Sequence, residues 1–427
     1  MDAAPTLSPE PSADLAPERL ARYWPLDEGI TFLNHGSFGA CPWPVLHAQS
    51  EWRARMEREP VIFLAMELEG HLDHARARLG EFLGADADDL AFVPNATTGV
   101  NTVLRSLNLQ ATDEILSTDH DYNACLNAIR MVTEQAGARA VVARIPFPVE
   151  SDDAIVDAIV GAAGPRTRLA VISHVTSPTA LILPIQRIVA ELAARGIDTL
   201  VDGAHAGMVH VELAKLGAAY YTGNAHKWMC APKGAGFLHV RRDRQEGVNP
   251  LVVSHGANSP RTDRSRFRLE FDWTGTADPT PYLAIPAALD FFANLLPGGL
   301  AQAMDINRQK LLVGRRKLLT AFPQPEPAPE HMIGTMASIE LPPNLPPTVL
   351  DRPAGAPVGS TWPLDPLHHH LLRVHAIEVP VYAWPHTAAD SPRRRLLRIS
   401  AHLYNHPAQY DRLVSVLAGL LAPAARL

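Results

Sequence analysis

The chain has 427 residues, 47% of them hydrophobic and 19% charged, which supplies a large buried core and is ordinary for a soluble globular protein. Lys and Arg number 38 against 45 Asp and Glu, a net charge of −7 that argues against a broad surface for nucleic acid or anionic membrane. The cysteines Cys41, Cys125 and Cys230 have no CxxC spacing and support neither a disulfide framework nor a zinc ribbon, and no apolar run is long enough to cross a bilayer.

Residues 1–22 are rich in Pro, Ala, Ser and acidic side chains, with neither a basic start nor an apolar centre. They read as a disordered tail and not a signal peptide, which makes the cytoplasm the expected location. The helical segment 67–83 carries His71 and His74, expected on a solvated face. Short apolar, β-branched runs follow at 90–94, 114–117, 140–145, 169–173, 199–201, 218–222 and 236–240, separated by helical patterns such as 185–195. This alternation predicts a parallel or mixed sheet covered by helices on both faces, with ligands at the carboxyl ends of the strands. The basic cluster at 261–268 is expected to be a solvated loop. Beyond residue 297 the pattern changes to a helix at 300–322 and proline-rich loops at 322–330 and 341–363, with a strand at 332–340 between them. Strands at 374–381 and 396–399 and a helix at 409–421 complete a smaller α+β unit. His368, His369 and His370 are consecutive, and three adjacent imidazoles in a regular element cannot all face one ion, so no metal is expected there.

The chemistry lies at the strand ends. Residues 90–104 read as a strand, a polar turn and a helix start, where free backbone N–H groups with Thr97 and Thr98 suit a phosphate. Helix capping by Asn95 or Thr97 accounts for the same residues with no ligand. The turn has neither GxGxxG nor GxxxxGK[ST], so a dinucleotide or nucleoside triphosphate is poorly supported. The strand at 199–201 delivers Asp202 and His205; a carboxylate there can hold a protonated ring nitrogen, or cap the following turn. The next strand delivers His226 and Lys227. An amine at the end of an apolar strand is shielded from water, which lowers its pKa and makes it nucleophilic. Anion site, carboxylate and lysine at strand ends make a far more specific signal together than any one alone.

With these residues in view, the sequence resembles the fold-type I pyridoxal-phosphate enzymes of aminotransferase class V, and within them the isopenicillin N epimerase-like group. The matching segments are 32–39, 95–101, 119–123, 201–205, 222–228, 273–276 and 398–405, in the family's order. The resemblance implies a large mixed-sheet α/β/α domain at 61–298, a smaller C-terminal α+β domain at 299–427, and an N-terminal arm at 23–60 packing on the latter. It implies that Lys227 holds pyridoxal 5′-phosphate as an imine and later moves the substrate Cα proton. Asp202 would partner the pyridine nitrogen so that the ring acts as an electron sink, and His205 would contact the phenolic oxygen. Thr97, Thr98, Asn224 and His226 match the phosphate cup, and Thr276 a phosphate contact supplied by the other subunit of a homodimer. Tyr122 falls near the side chain that stacks on the ring, with His120 as the alternative. Arg398 matches the arginine that grips the substrate carboxylate, while Asn34 and His35 resemble residues lining the substrate side.

Cysteine desulfurases of this fold carry a nucleophilic cysteine on a C-terminal loop, and residues 341–397 contain none, which disfavours persulfide chemistry. The three cysteines are expected to pack as small apolar residues. The resemblance then implies removal of the Cα proton of an amino acid, through an external aldimine and a quinonoid carbanion. Its fate is either β-elimination, as in a C–S lyase, or reprotonation on the opposite face by a second acid (Tyr122, His35 or a held water), as in an epimerase. Transamination, an oxidative or decarboxylative variant, and a non-catalytic cofactor-binding protein are the alternatives.

Overall fold

The computed structural model describes residues 16–342, 365–385 and 394–421. Near its start Thr31–Phe32 (β1) is a short strand whose partner lies far along the chain. Seven strands then build one sheet: Leu90–Val93 (β2), Glu114–Thr118 (β3), Arg139–Ala143 (β4), Thr167–Ser173 (β5), Asp198–Gly203 (β6), Tyr220–Asn224 (β7) and Gly236–Val240 (β8). Their spatial order is β2-β8-β7-β6-β5-β3-β4. Strands β3 to β7 are parallel, and β8 is antiparallel to both β7 and β2, so β2 points the same way as the parallel set. Six strand ends thus open on one edge.

Side chains alternate across a strand, so Ala170 and Ile172 face one apolar layer and Leu169 and Val171 the other. Helices Ala96–Ser106 (α1) and Asn123–Ala136 (α2) cover the second layer with Val100, Val103, Ile129 and Val132. Helices Asp152–Ala162 (α3) and Ile185–Ala193 (α4) cover the first with Ile155, Ile159, Ile188 and Leu192. Burial on both faces is why the strands read as nearly continuous apolar runs.

The C-terminal part packs Gly299–Ala321 (α5) against Pro407–Leu421, the last described helix, and beside Met336–Glu340 (β9). Between them lie Pro366–His375 (α6), Ile377–Glu378 (β10), Val381–Trp384 (β11) and Arg394–Ser400 (β12). Strands β11, β12 and β9 form an antiparallel sheet, and β10 pairs in parallel with β1, Phe32 opposite Glu378.

Four expectations change. The strand predicted at 374–381 is divided, because α6 runs to His375 and Ala376, in the left-handed region at φ 51°, turns the chain out of the helix before β10. Order also begins before residue 22: Pro17–Ala21 is helical and buries Leu20, while the tail prediction for residues 1–15, like most of the proline-rich 341–363, falls outside the described residues. The basic cluster is no free loop. Arg264 bonds Asp73 at 2.6 Å and buried Arg268 reaches Asp88 at 2.5 Å, as well as Asp73 and Asp272. His71, expected on a solvated face, packs at 4.8 Å against Trp52 with the rings tilted by 55°, whereas His74 is exposed.

Gly99, in the first turn of α1, lies against β7: a Cβ there meets Thr222 Oγ1 at 2.0 Å and Cβ at 2.7 Å. Thr222 is fully buried and donates its hydroxyl to the Phe237 carbonyl at 2.8 Å, so it has little room to turn away. Gly99→Ala is expected to cost about 1–3 kcal/mol, read as a lower denaturation midpoint at unchanged m. An unchanged midpoint would mean that α1 shifts freely.

Candidate active site

The shared strand edge holds a cavity of about 260 Å³. The segment after β2 brings Asn95 and Thr97, β3 leads to Tyr122, β5 to Ser173, Val175 and Ser177, β6 to Asp202 and His205, and β7 to Asn224, His226 and Lys227. The far wall comes from other parts of the chain: Gly36, Ser37 and Phe38 from the short helix His35–Phe38, Tyr382 from β11 and Arg398 from β12.

Lys227 is lowered to about 8, by burial first and then by the charge of Arg398, against the opposing pull of Asp202. Asp202 is buried, and burial pushes its carboxyl above the ordinary range. Its Oδ1 accepts the Ala204 N–H at 2.9 Å and its Oδ2 accepts the Cys125 thiol at 3.2 Å. His205 accepts the Trp228 indole N–H on Nδ1 at 3.0 Å. Burial and the Lys227 charge keep that ring neutral, so its proton sits on Nε2, the one remaining donor. His226 has the opposite arrangement. Its Nδ1 donates to the Ala235 carbonyl at 2.9 Å, and burial lowers the ring to about 4, so it reaches an anion as a donor only by taking up a proton on Nε2.

At the start of α1, Asn95 caps the helix by accepting the Thr98 N–H at 2.9 Å, and Asn224 Oδ1 accepts the Ala96 N–H at 2.8 Å. Thr97 faces the cavity. Thr98 departs from expectation: its amide and its hydroxyl both bond to Asn95 Oδ1, and its side chain lines a neighbouring cleft with Trp273 and Gly275. Thr276 is exposed and is not among the residues lining the cavity of its own chain.

Tyr122 reaches the cavity and is pushed up to about 12 by burial, which keeps its phenol protonated. His120 does not reach it; its Nδ1 meets the Thr179 hydroxyl at 2.8 Å and its Nε2 the Ile145 carbonyl at 3.2 Å. Arg398, 2% exposed, donates from Nη1 to the Ser177 carbonyl at 2.7 Å and from Nη2 to Ser37 Oγ at 2.9 Å, with its guanidinium 4.8 Å from the Tyr382 ring centre.

Asn34 and His35, expected on the substrate side, sit behind it. Asn34 accepts the Ser37 hydroxyl at 2.5 Å and donates to Glu378 at 2.7 Å. His35 spends Nε2 on the Lys227 carbonyl at 3.0 Å and Nδ1 on the Tyr404 hydroxyl at 2.8 Å, so neither nitrogen is left to protonate a substrate. Its ring stacks on His402 at 4.1 Å and 14°, with Cys230 close by. The His35 Nε2 proton goes to the Lys227 carbonyl and Nδ1 accepts the Tyr404 hydroxyl, so His35 has no lone pair to offer a metal ion. Sequence reasoning missed Ser37, Ser177, Tyr382 and the Cys125 thiol. Only Cys125 had a readable signal, its place one turn beyond Tyr122 at the start of α2.

Residues 45–311 match the family model for aminotransferase class-V. This chain belongs to that family. It is therefore a pyridoxal-phosphate-dependent enzyme, and its architecture is fold-type I. The isopenicillin N epimerases of Amycolatopsis lactamdurans and Streptomyces clavuligerus are 37% and 35% identical to it, each over 92% of this chain and 96% of theirs. An L-cysteine desulfhydrase of Arabidopsis thaliana is 30% identical over 92% of this chain and 88% of its own. Among solved structures, the cystine C–S lyase C-DES in complex with cysteine persulfide is similar at a TM-score of 0.74, with 20% identity over 92% of this chain and 98% of that one. The residues present suit the cofactor by the chemistry of their donors: a helix N-terminus and polar cup for an anion, a neutral Nε2–H for a phenolate, a buried carboxylate for a ring nitrogen and an amine of lowered pKa for an aldehyde.

Capture of the aldehyde by Lys227 in apoprotein is expected to speed up as pH rises and to level off above about 8, because only the neutral amine attacks. Stopped-flow absorbance measures this rate, and Lys227→Ala should leave no covalent link that borohydride can trap. A trapped adduct in that variant would place the imine elsewhere.

Proposed function

We propose that this enzyme is a C–S lyase acting on a small α-amino acid with sulfur at Cβ. The α1 N-terminus with Thr97, Asn224 and His226 would hold the cofactor phosphate, Asp202 would partner the ring nitrogen, His205 would donate to the phenolic oxygen, and Tyr122 would lie beside the ring. Arg398 binds the substrate carboxylate. The cofactor, when bound, supplies the electron sink that acidifies the Cα–H bond. Lys227 takes that proton, the Cβ–S bond breaks with its electron pair leaving on sulfur, and a Cα=Cβ double bond forms. Lys227 returns its proton to the departing thiolate. The released 2-aminoacrylate hydrolyses in water to pyruvate and ammonia.

One observation carries this choice. Among the described groups lining the cavity whose titration is displaced, Lys227 at about 8 is poised to take and return a proton near neutrality, while Tyr122 is raised to about 12, His226 lowered to about 4, His205 well below its ordinary value, and Asp202, raised by burial, has its oxygens on Ala204 and Cys125. Elimination needs one such group; epimerisation needs a second on the opposite face. Epimerisation is the second reading, supported by the protonated phenol of Tyr122, which arrives from a different strand end than Lys227. Holoenzyme incubated in D2O with cysteine S-conjugates is expected to release pyruvate. Cα deuteration with inversion and no pyruvate would replace the lyase by an epimerase.

We also propose that the enzyme is a homodimer. Val61, Met66, Val252 and Val253 are 70%, 77%, 58% and 69% exposed, in segments that meet around Trp273 and lead to exposed Thr276. Sedimentation should give a dimer, and Val253→Asp should yield monomer with weakened cofactor binding. A monomer of undiminished cofactor affinity would remove Thr276 from the phosphate site.

A further inference from the structure

The cavity wall around Arg398 is tied to a hydrogen-bonded series that leads away from the substrate. Ser37 Oγ accepts from Arg398 Nη2 at 2.9 Å and donates to Asn34 Oδ1 at 2.5 Å. Asn34 Nδ2 donates to Glu378 Oε1 at 2.7 Å, and His368 Nε2 meets the same oxygen at 2.9 Å. Asn34 lies two residues beyond β1 and Glu378 belongs to β10, so the pairing of these two strands brings the amide to the carboxylate.

The direction of every bond follows from its far end. Burial alone would raise the Glu378 carboxyl, but the bonds from His368 and Asn34 outweigh it and hold it below the ordinary range, so it accepts only. His368 must then donate through Nε2, and Asn34 must turn its NH2 to Glu378. That leaves Asn34 Oδ1 facing Ser37, whose one hydroxyl proton is thereby committed, and the lone pairs of Ser37 face Arg398. Tyr382, whose hydroxyl is 3.2 Å from Ser37 Oγ, adds its ring beneath the guanidinium. With Nη1 fixed on Ser177, the guanidinium is held at both ends, and its remaining N–H groups are left for a ligand.

We infer that Glu378, acting through Asn34 and Ser37, is the anchor that orients Arg398 for an α-carboxylate, with His368 fixing Glu378. Ser37, Asn34, Glu378 and His368 are positioning residues, and the buried His368 of the three-histidine run has its use here. The assignment rests on Arg398 as the carboxylate ligand. Its consequence is selective: loosening the series weakens recognition of the carboxylate, while the amine-handling side of the cavity is untouched.

The test uses holoenzyme and two non-reacting probes, glycine and glycinamide, whose binding is followed by the change in cofactor absorbance. In Ser37→Ala and Glu378→Gln the dissociation constant for glycine is expected to rise roughly 5- to 10-fold, the scale of one ordinary hydrogen bond lost. That for glycinamide and the affinity for the cofactor should stay unchanged, and Ser37→Thr, which keeps the hydroxyl, should retain most of the glycine affinity. In turnover the same variants should raise KM with little change in kcat. Equal weakening of both probes, or no weakening of glycine, overturns the inference. Arg398→Ala separates the two layers: if it still prefers glycine to glycinamide, the carboxylate assignment itself fails; if it loses that preference while Ser37→Ala keeps it, only the anchoring series is wrong.

Discussion

The pKa of the Lys227 amine must be brought down toward physiological pH while charged groups surround it, and the rest of the site is arranged around that demand. Burial at the end of β7 provides most of the effect, and Arg398 adds to it across the cavity. Asp202 works in the opposite sense, yet its own charge is discouraged by the same burial and shared with the Ala204 amide and the Cys125 thiol. The two flanking histidines are neutral because a second buried cation beside Lys227 would be costly. The dry edge of a parallel sheet makes this possible, since both of its faces are already covered by helices.

Neutral histidines have direction as well as charge. Trp228 dictates that His205 offers a proton, and Ala235 dictates that His226 offers a lone pair until it is protonated. The rings lie near each other in sequence, on segments after adjacent strands, and are prepared for different partners. A phosphate dianion brought to His226 therefore favours proton uptake, whereas a phenolate brought to His205 needs none. Glu378 sets polarity in the same manner for Asn34 and Ser37, so two parts of the cavity depend on a partner outside it to fix which atom carries hydrogen.

Much of the strand-edge chemistry was legible because it is local. Lys227, Asp202, Asn224 and Thr97 stand beside the apolar runs that carry them, and seven runs of alternating β and helical character led to the sheet observed. Legibility ended where a role depended on contacts between distant segments. Asn34 and His35 were assigned to the substrate, but Glu378, 344 residues from Asn34, and the Lys227 carbonyl draw them behind the wall. Cys125 read as apolar filler because its place one turn beyond Tyr122 brings it near the site without showing that its thiol meets Asp202, 77 residues away. Choosing between His120 and Tyr122 needed the turn after β3, which buries the first on Thr179 and Ile145 and opens the second to the cavity. The divided strand near residue 377 was hidden because a left-handed alanine has no compositional signal.

The pairing of β1 with β10 also orders events during synthesis. Ser37 and Arg398 are 361 residues apart, which at about 5–20 residues per second is roughly 20–70 s of translation. Throughout that interval β1 has no strand to join. The seven-stranded sheet, with Lys227 and Asp202 in place, is complete on the nascent chain well before β10 and β12 leave the ribosome. A chain cut short before Arg398 therefore carries the lysine at its strand end without the arginine, a buried amine in a half-walled pocket. Closing that wall with Ser37 and Arg398 waits on the pairing of β1 with β10.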